Sequence, residues 1–413
     1  MSAAENAVRP APRRVRPFEK TRTKTPLWQR LWLKRDISPT RPEYDAMVNE
    51  LWNGDARMDE LLEWMYSYGH RESRLLFNKA MESGIDSVPD APEPLKAFFR
   101  YVEKRPAWVD QELLDEGVRF MHRTALAAPY VLRDLGLMGG YMLSGFNQTL
   151  VLTGALNRGA SARIAETGKW WIDCTEINGM RRGGPGYKST LHVRLVHALV
   201  RRNLQQRPDW DSTEWGIPVS QVDMIATYLA FCVVTLGGLR LLGIPVTPRE
   251  SKAMMHFWNY TCWLMGVDEK WLCFTEGEGV VRLYHTLMTQ SRTNDTSREL
   301  AAALAREPLD RHFDNLESLR RQLAYHQHLS VSRYFLGKDK MAMLGLPTNE
   351  LPWFPLLTMM PRFAGYAGQR LLPVLRKGQE ARGRKAQVDA LASMFGEREQ
   401  SIIKPGENHP AHT

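Results

Sequence analysis

The sequence predicts an all-α protein, and three observations carry that prediction. No apolar–polar alternation is sustained over a strand's length. Apolar residues instead recur at the i, i+3, i+4, i+7 spacing of a helix face in most segments. Helix-start signals precede several of these segments, notably Thr247-Pro248-Arg249-Glu250 and Ser220-x-x-Asp223. At 413 residues, 43% of them hydrophobic, the chain is long enough to bury a sizeable core. The expected organisation is a basic, partly disordered segment over 1–36, a single large helical domain over 37–395, and a disordered tail over 396–413.

Taken in order, residues 1–36 hold ten Arg/Lys against three acids, and 370–385 hold six against one. The formal charge of +9 therefore resides in these two stretches. The rest is slightly acidic, so nucleic-acid binding by the folded body is not supported. Residues up to about 25 are rich in Pro, Arg and Ala with little to bury, and disorder is expected there. Arg13-Arg14 is not followed by the apolar core of an export signal. Thr25-Pro26 opens a short helix placing Leu27, Trp28, Leu31 and Trp32 on one side and basic residues elsewhere. Such a helix either rests on an anionic membrane or docks on the body. Residues 42–75 and 95–123 read as helical, joined through the proline-rich run Val88–Pro94.

Leu135 to Leu156 carries no formal charge over 22 residues. Its five glycines and five small polar residues indicate a buried, close-packed helix or helix pair rather than a bilayer span. The glycine-rich run 178–187 reads as a flexible loop. Ser220–Leu242 reads as a long apolar helix that Arg240 keeps short of a bilayer span. The helix after Thr247 carries Met254, Trp258, Cys262 and Met265 on one stripe, for which core packing is the first expectation. His326 and His328, two apart, point to different helix faces and are expected to be structural. Cys174, Cys232, Cys262 and Cys273 have neither zinc nor covalent-haem spacing and suit a reducing, cytoplasmic setting.

The candidate site centres on Leu191–Asn203, LHVRLVHALVRRN. Val193, Val196, His197 and Val200 share a face; Arg194 and Arg201 sit about one turn to either side of His197 on a neighbouring stripe. An imidazole in an apolar stripe with two guanidiniums nearby suits iron in a flat, greasy, anionic ligand, which describes haem. A hydrogen-bonded core histidine is the plain alternative. Upstream, Arg163, Glu166 and Thr167 share a face that continues to Trp170 and Cys174. Polar groups on an apolar face require partners.

Arg163-x-x-x-Thr167, a gap, then Arg194-x-x-His197-x-x-x-Arg201 resembles the oxygenase family of latex-clearing protein (rubber oxygenase) and the fungal endoplasmic-reticulum oxygenase of mycophenolic acid synthesis, over roughly residues 120–350. The resemblance implies a partly globin-like helical core holding non-covalent haem b, with His197 as proximal iron ligand. It also implies that Arg163 and Thr167 lie in the pocket and that Arg194 and Arg201 lie near the haem. Members cleave carbon–carbon double bonds of polyisoprene or prenyl chains with dioxygen. One departure stands out. Where latex-clearing protein has a lysine able to cap the iron, this chain has Glu166, and Ser144–Gln148 holds no acid where that enzyme has a catalytic glutamate. Glu166 is then either the proton-handling group, helped by burial that favours its protonated form, or the structural partner of Arg163. The implied function is an oxygenase acting on an apolar, unsaturated or isoprenoid-like small molecule. The alternative is a non-catalytic haem or lipid carrier, peripheral to the membrane through residues 1–36.

Overall fold

In the computed structural model, residues 9–154, 160–290, 293–372 and 374–401 are described, and all regular structure among them is helical. The centre is the Pro185–Gln205 helix, which packs against the Ala160–Cys174, Pro248–Met265 and Ala56–Tyr68 helices. Pro185 opens it at the first turn, where its missing N–H costs nothing. Leu191, Leu195, Ala198 and Leu199 are buried along one side.

The Pro248–Met265 helix begins as its sequence predicts. The Glu250 N–H donates to Thr247 Oγ1 (3.1 Å), and the Thr247 N–H donates to Glu250 Oε2 (2.9 Å). Buried around its whole circumference from Ala253 to Met265, it is a core helix. It lies so close to the Gln111–Arg123 helix that a Cβ on Gly117 would stand 2.9 Å from the Ala253 carbonyl oxygen. Met254 and Trp258 are core, as expected, whereas Cys262 and Met265 reach a cavity.

The Ser220–Leu242 segment is one continuous helical run capped by Ser220, long and apolar enough to cross a membrane but mostly buried in the body. It contains a π-helical turn at Ala230–Val234, which packs against a second at Leu132–Leu137. The uncharged stretch is a helix pair, Met138–Gly140 and Ser144–Leu152, broken at 141–143; residues 155–159 lie outside the described residues.

Two expectations need correction. The described part of the N-terminal segment, from residue 9, lies as a strap over the body. Arg13 and Arg14 donate backbone N–H groups to Thr213 and Glu214, and Arg16 donates to Met288. Arg14, 3% exposed, forms a 2.8 Å ion pair with Asp223. Composition indicated disorder because the groups that anchor the strap lie some 200 residues downstream. Secondly, the glycine-rich run forms compact turns closed by a Tyr187 N–H to Gly179 carbonyl bond (3.0 Å), away from the cavity. Of the expected C-terminal tail, residues 396–401 are described, as turn and irregular chain, while 402–413 lie outside the described residues, as do 1–8.

Candidate active site

The two main hydrophobic clusters leave between them a cavity of about 1240 Å³, lined from both. Both π-helical turns contribute to its wall, through Leu132, Leu135, Gly136, Phe231 and Val234. Single π turns inside α-helices characteristically occur at functional sites. Gly136, Gly139 and Gly140 also line it, and a Cβ on any of them would come no nearer than 3.6 Å to another part of the chain. These glycines enlarge the cavity rather than permit a close helix crossing.

Val193, Val196, His197 and Val200 line one wall, so the apolar stripe read from the sequence faces this space. The His197 Nδ1 is buried and has no hydrogen-bond partner among the described residues. Burial first, and the Arg201 charge second, push the imidazole pKa down to about 4, so the ring is neutral near pH 7. A buried imidazole normally satisfies its polar atoms; an unsatisfied neutral ring at a cavity wall suits a metal ligand. Arg163, Glu166 and Thr167 line the same cavity from the Ala160–Cys174 helix. The Thr167 hydroxyl donates to the Arg163 carbonyl at 2.9 Å, which fixes its rotamer while leaving it at the cavity surface.

Arg194 and Arg201 are placed differently from expectation. Arg194, 2% exposed, makes a two-pronged pair with Asp55 (Nε–Oδ2 2.6 Å, Nη2–Oδ1 2.8 Å), and its Nη1 donates to the Leu264 carbonyl. Arg201, 1% exposed, grips Asp59 (Nη2–Oδ1 2.6 Å) and donates to the Val219 carbonyl. Neither lines the cavity. Their donors are committed to a two-rung ladder onto the Ala56–Tyr68 helix, whose first residue follows Asp55. The ladder depends on two glycines: a Cβ on Gly54 would stand 2.5 Å from Arg201 Nε, and one on Gly266 would stand 2.3 Å from Asp55 Oδ2.

Sequence reading missed a buried polar cluster at the cavity wall. Arg133 pairs with Asp134 and Glu307, Arg311 with Glu307 at 2.8 Å, and Asp134 Oδ2 lies 2.7 Å from His328 Nδ1. Although burial opposes it, Arg311 and Arg133 hold Glu307 at about 2, whereas burial pushes Asp134 upward. His328 reaches this cluster while His326 sits at the surface with Glu350, so the different-faces argument held for the pair but concealed one member's surroundings. No local signal connects His328 with Asp134, 194 residues away.

Residues 122–365 match the family described as ER-bound oxygenase mpaB/B′ and rubber oxygenase, catalytic domain. That span is more than half the chain and contains the whole of the motif. The chain belongs to this family. It is 26% identical over 185 residues to a rubber oxygenase of Streptomyces sp. (strain K30), an alignment covering 44% of this chain and 45% of that protein, so the chain matches less than half of that relative's length. Its fold resembles the solved structure of latex clearing protein in the closed state, with TM-score 0.60 and 22% identity, covering 82% of this chain and 91% of the other. The all-helical architecture read from the sequence is thus the family's.

Proposed function

We propose that the protein is a haem b-dependent oxygenase that uses dioxygen on an apolar, unsaturated or isoprenoid-like small molecule. The carrying observation is the unpartnered, neutral His197 imidazole at the wall of a large apolar cavity. One imidazole fills one coordination position of iron, and a porphyrin supplies the four equatorial ones. The three wall glycines widen the space as a flat ligand requires. The cavity exceeds the roughly 300–1,000 Å³ usual for small-molecule sites, which accommodates cofactor and substrate together. When bound, haem supplies the oxygen chemistry.

The chain's own residues have four tasks. His197 would hold the metal through its imidazole. The valines and Trp170 keep water out. Thr167 and Arg163 orient polar groups at the rim. Glu166, half-buried at the wall, carries a proton to or from the reacting molecule in place of the lysine and glutamate of latex-clearing protein. We further propose a cytoplasmic protein peripheral to membranes. In support, all four cysteines are free and buried, and Leu27, Trp28 and Leu31 are at least 70% exposed on a helix with no acidic residue.

The test is the absorption spectrum of freshly purified protein beside His197→Ala. A Soret band present in the parent and lost in the variant, with helical content unchanged, supports the assignment. Equal haem occupancy in both overturns it.

A further inference from the structure

We infer that the polar corner formed by Tyr130, Arg311 and His328 is a carboxylate-receiving subsite, so that the cavity takes a ligand that is apolar along its length and acidic at one end. This rests on reading the cavity as the ligand site and adds what the ligand must carry. All three side chains line the cavity, at a polar corner set apart from the His197 wall and from Arg163, Glu166 and Thr167.

Each of the three has a polar atom left over. The Arg311 Nε and Nη2 are committed to Glu307, and its Nη1 has no partner among the described residues. The Tyr130 hydroxyl likewise has none, while its ring packs 5.0 Å from His328 and 5.4 Å from Phe354. His328, 5% exposed, has Nδ1 held by Asp134 and only Nε2 left to offer. Burial, with the Arg133 and Arg311 charges, pushes that ring toward its neutral form, and burial pushes Asp134 toward its protonated form, so an Asp134 hydroxyl donating to Nδ1 leaves Nε2–H as the donor a carboxylate needs.

Charge points the same way. The charged groups that act most strongly on Tyr130 and His328 include Arg133, Arg311, Arg362, Asp134 and Glu307. Three of these are cations, and of the two acids burial pushes Asp134 toward its neutral form, so positive charge is in excess at this buried wall; the Arg362 Nη1 is itself buried without a hydrogen-bond partner among the described residues. Buried charge of one sign is costly unless paired. A single carboxylate supplies the missing charge and accepts from both the Arg311 and Tyr130 donors. A neutral hydrocarbon end would leave the imbalance in place.

The carboxylate could belong to a substrate or to a porphyrin propionate, and the experiment separates these. Purified full-length protein, with haem content recorded for each sample, is titrated calorimetrically with geranic acid and with its methyl ester. The same is done for Arg311→Met and for Tyr130→Phe, which removes only a hydroxyl and keeps the test decisive should the arginine variant fail to fold. A substrate carboxylate predicts that the wild type binds the acid at least tenfold more tightly than the ester. It also predicts that the ratio falls several-fold in Tyr130→Phe and toward one in Arg311→Met, with haem content unchanged. A wild-type ratio near one together with reduced haem content in either variant assigns the corner to a propionate. A ratio near one with full haem content in the variants overturns the inference, as does a high ratio that both variants retain.

Discussion

If Arg194 clamps the His197 helix rather than meeting a ligand, its partner Asp55 should be energetically coupled to it and the cofactor should not be. The pair is sequestered, with side chains 2% and 5% exposed. Removing either partner orphans a buried charge, which costs about 3–5 kcal/mol. Asp55→Leu should cost about 1 kcal/mol more, because Asp55 also caps its helix by accepting from the Met58 N–H. Arg194→Met keeps most of the aliphatic packing and isolates the loss of charge. In Asp55→Leu/Arg194→Met neither charge remains. What is lost is the cap and the donor to the Leu264 carbonyl, about 2 kcal/mol together. The double variant should therefore be more stable than either single one, with a coupling energy of several kcal/mol. Urea unfolding of the four proteins, followed by far-ultraviolet circular dichroism, measures this, and the Soret absorbance per chain is read in parallel. Arg194→Met unfolding like the wild type while purifying without cofactor would refute the reasoning, because the guanidinium would then belong to the ligand.

The cavity glycines predict a contrast. Gly140→Ala should be neutral or stabilise by up to about 1 kcal/mol, since nothing lies within 4 Å of the new methyl group. Gly238→Ala, whose Cβ would meet Val131 Cγ1 at 2.3 Å, should cost about 1–3 kcal/mol. Equal melting temperatures for the two would contradict the packing described. The apoprotein should lose stability as pH falls from about 6.5 to about 4. His197 and His285, both held at about 4 by burial in the folded state, take up protons in that window only on unfolding. Their contribution is fully present above about 6.5, and its slope ends below about 4. Replacing His285 with Gln should remove about one proton from the pH dependence of the urea midpoint, and an unchanged slope would show that the ring is not protected.

What the sequence made legible was local. Arg163, Glu166 and Thr167 are one turn apart, as are Val193, His197 and Val200, and a helix fixes such relations without reference to the rest of the chain. All of them line the cavity. What failed were relations with distant segments. Arg14 is ordered by Asp223, and His328 is defined by Asp134.

The two arginines show where a helical pattern informs and where it stops. Axially they bracket His197, which suggested a guanidinium on either side of a bound ligand. At about 100° per residue, however, Arg194 and Arg201 fall roughly 60° and 40° around the helix from His197 on the same side, and Val193, Val196 and Val200 all fall on the other. The periodicity thus already separated a cavity face from a clamping face, with His197 at their boundary. Only the acceptors, Asp55 and Asp59, lay beyond reach, 139 and 142 residues away in the chain. The consequence is mechanical. Two rungs about 10 Å apart along one helix resist both sliding and rotation of that helix. They fix the depth and direction at which the imidazole enters the cavity. A pair of charged residues can therefore belong to the motif around a proposed ligand residue without lining the cavity that this residue faces.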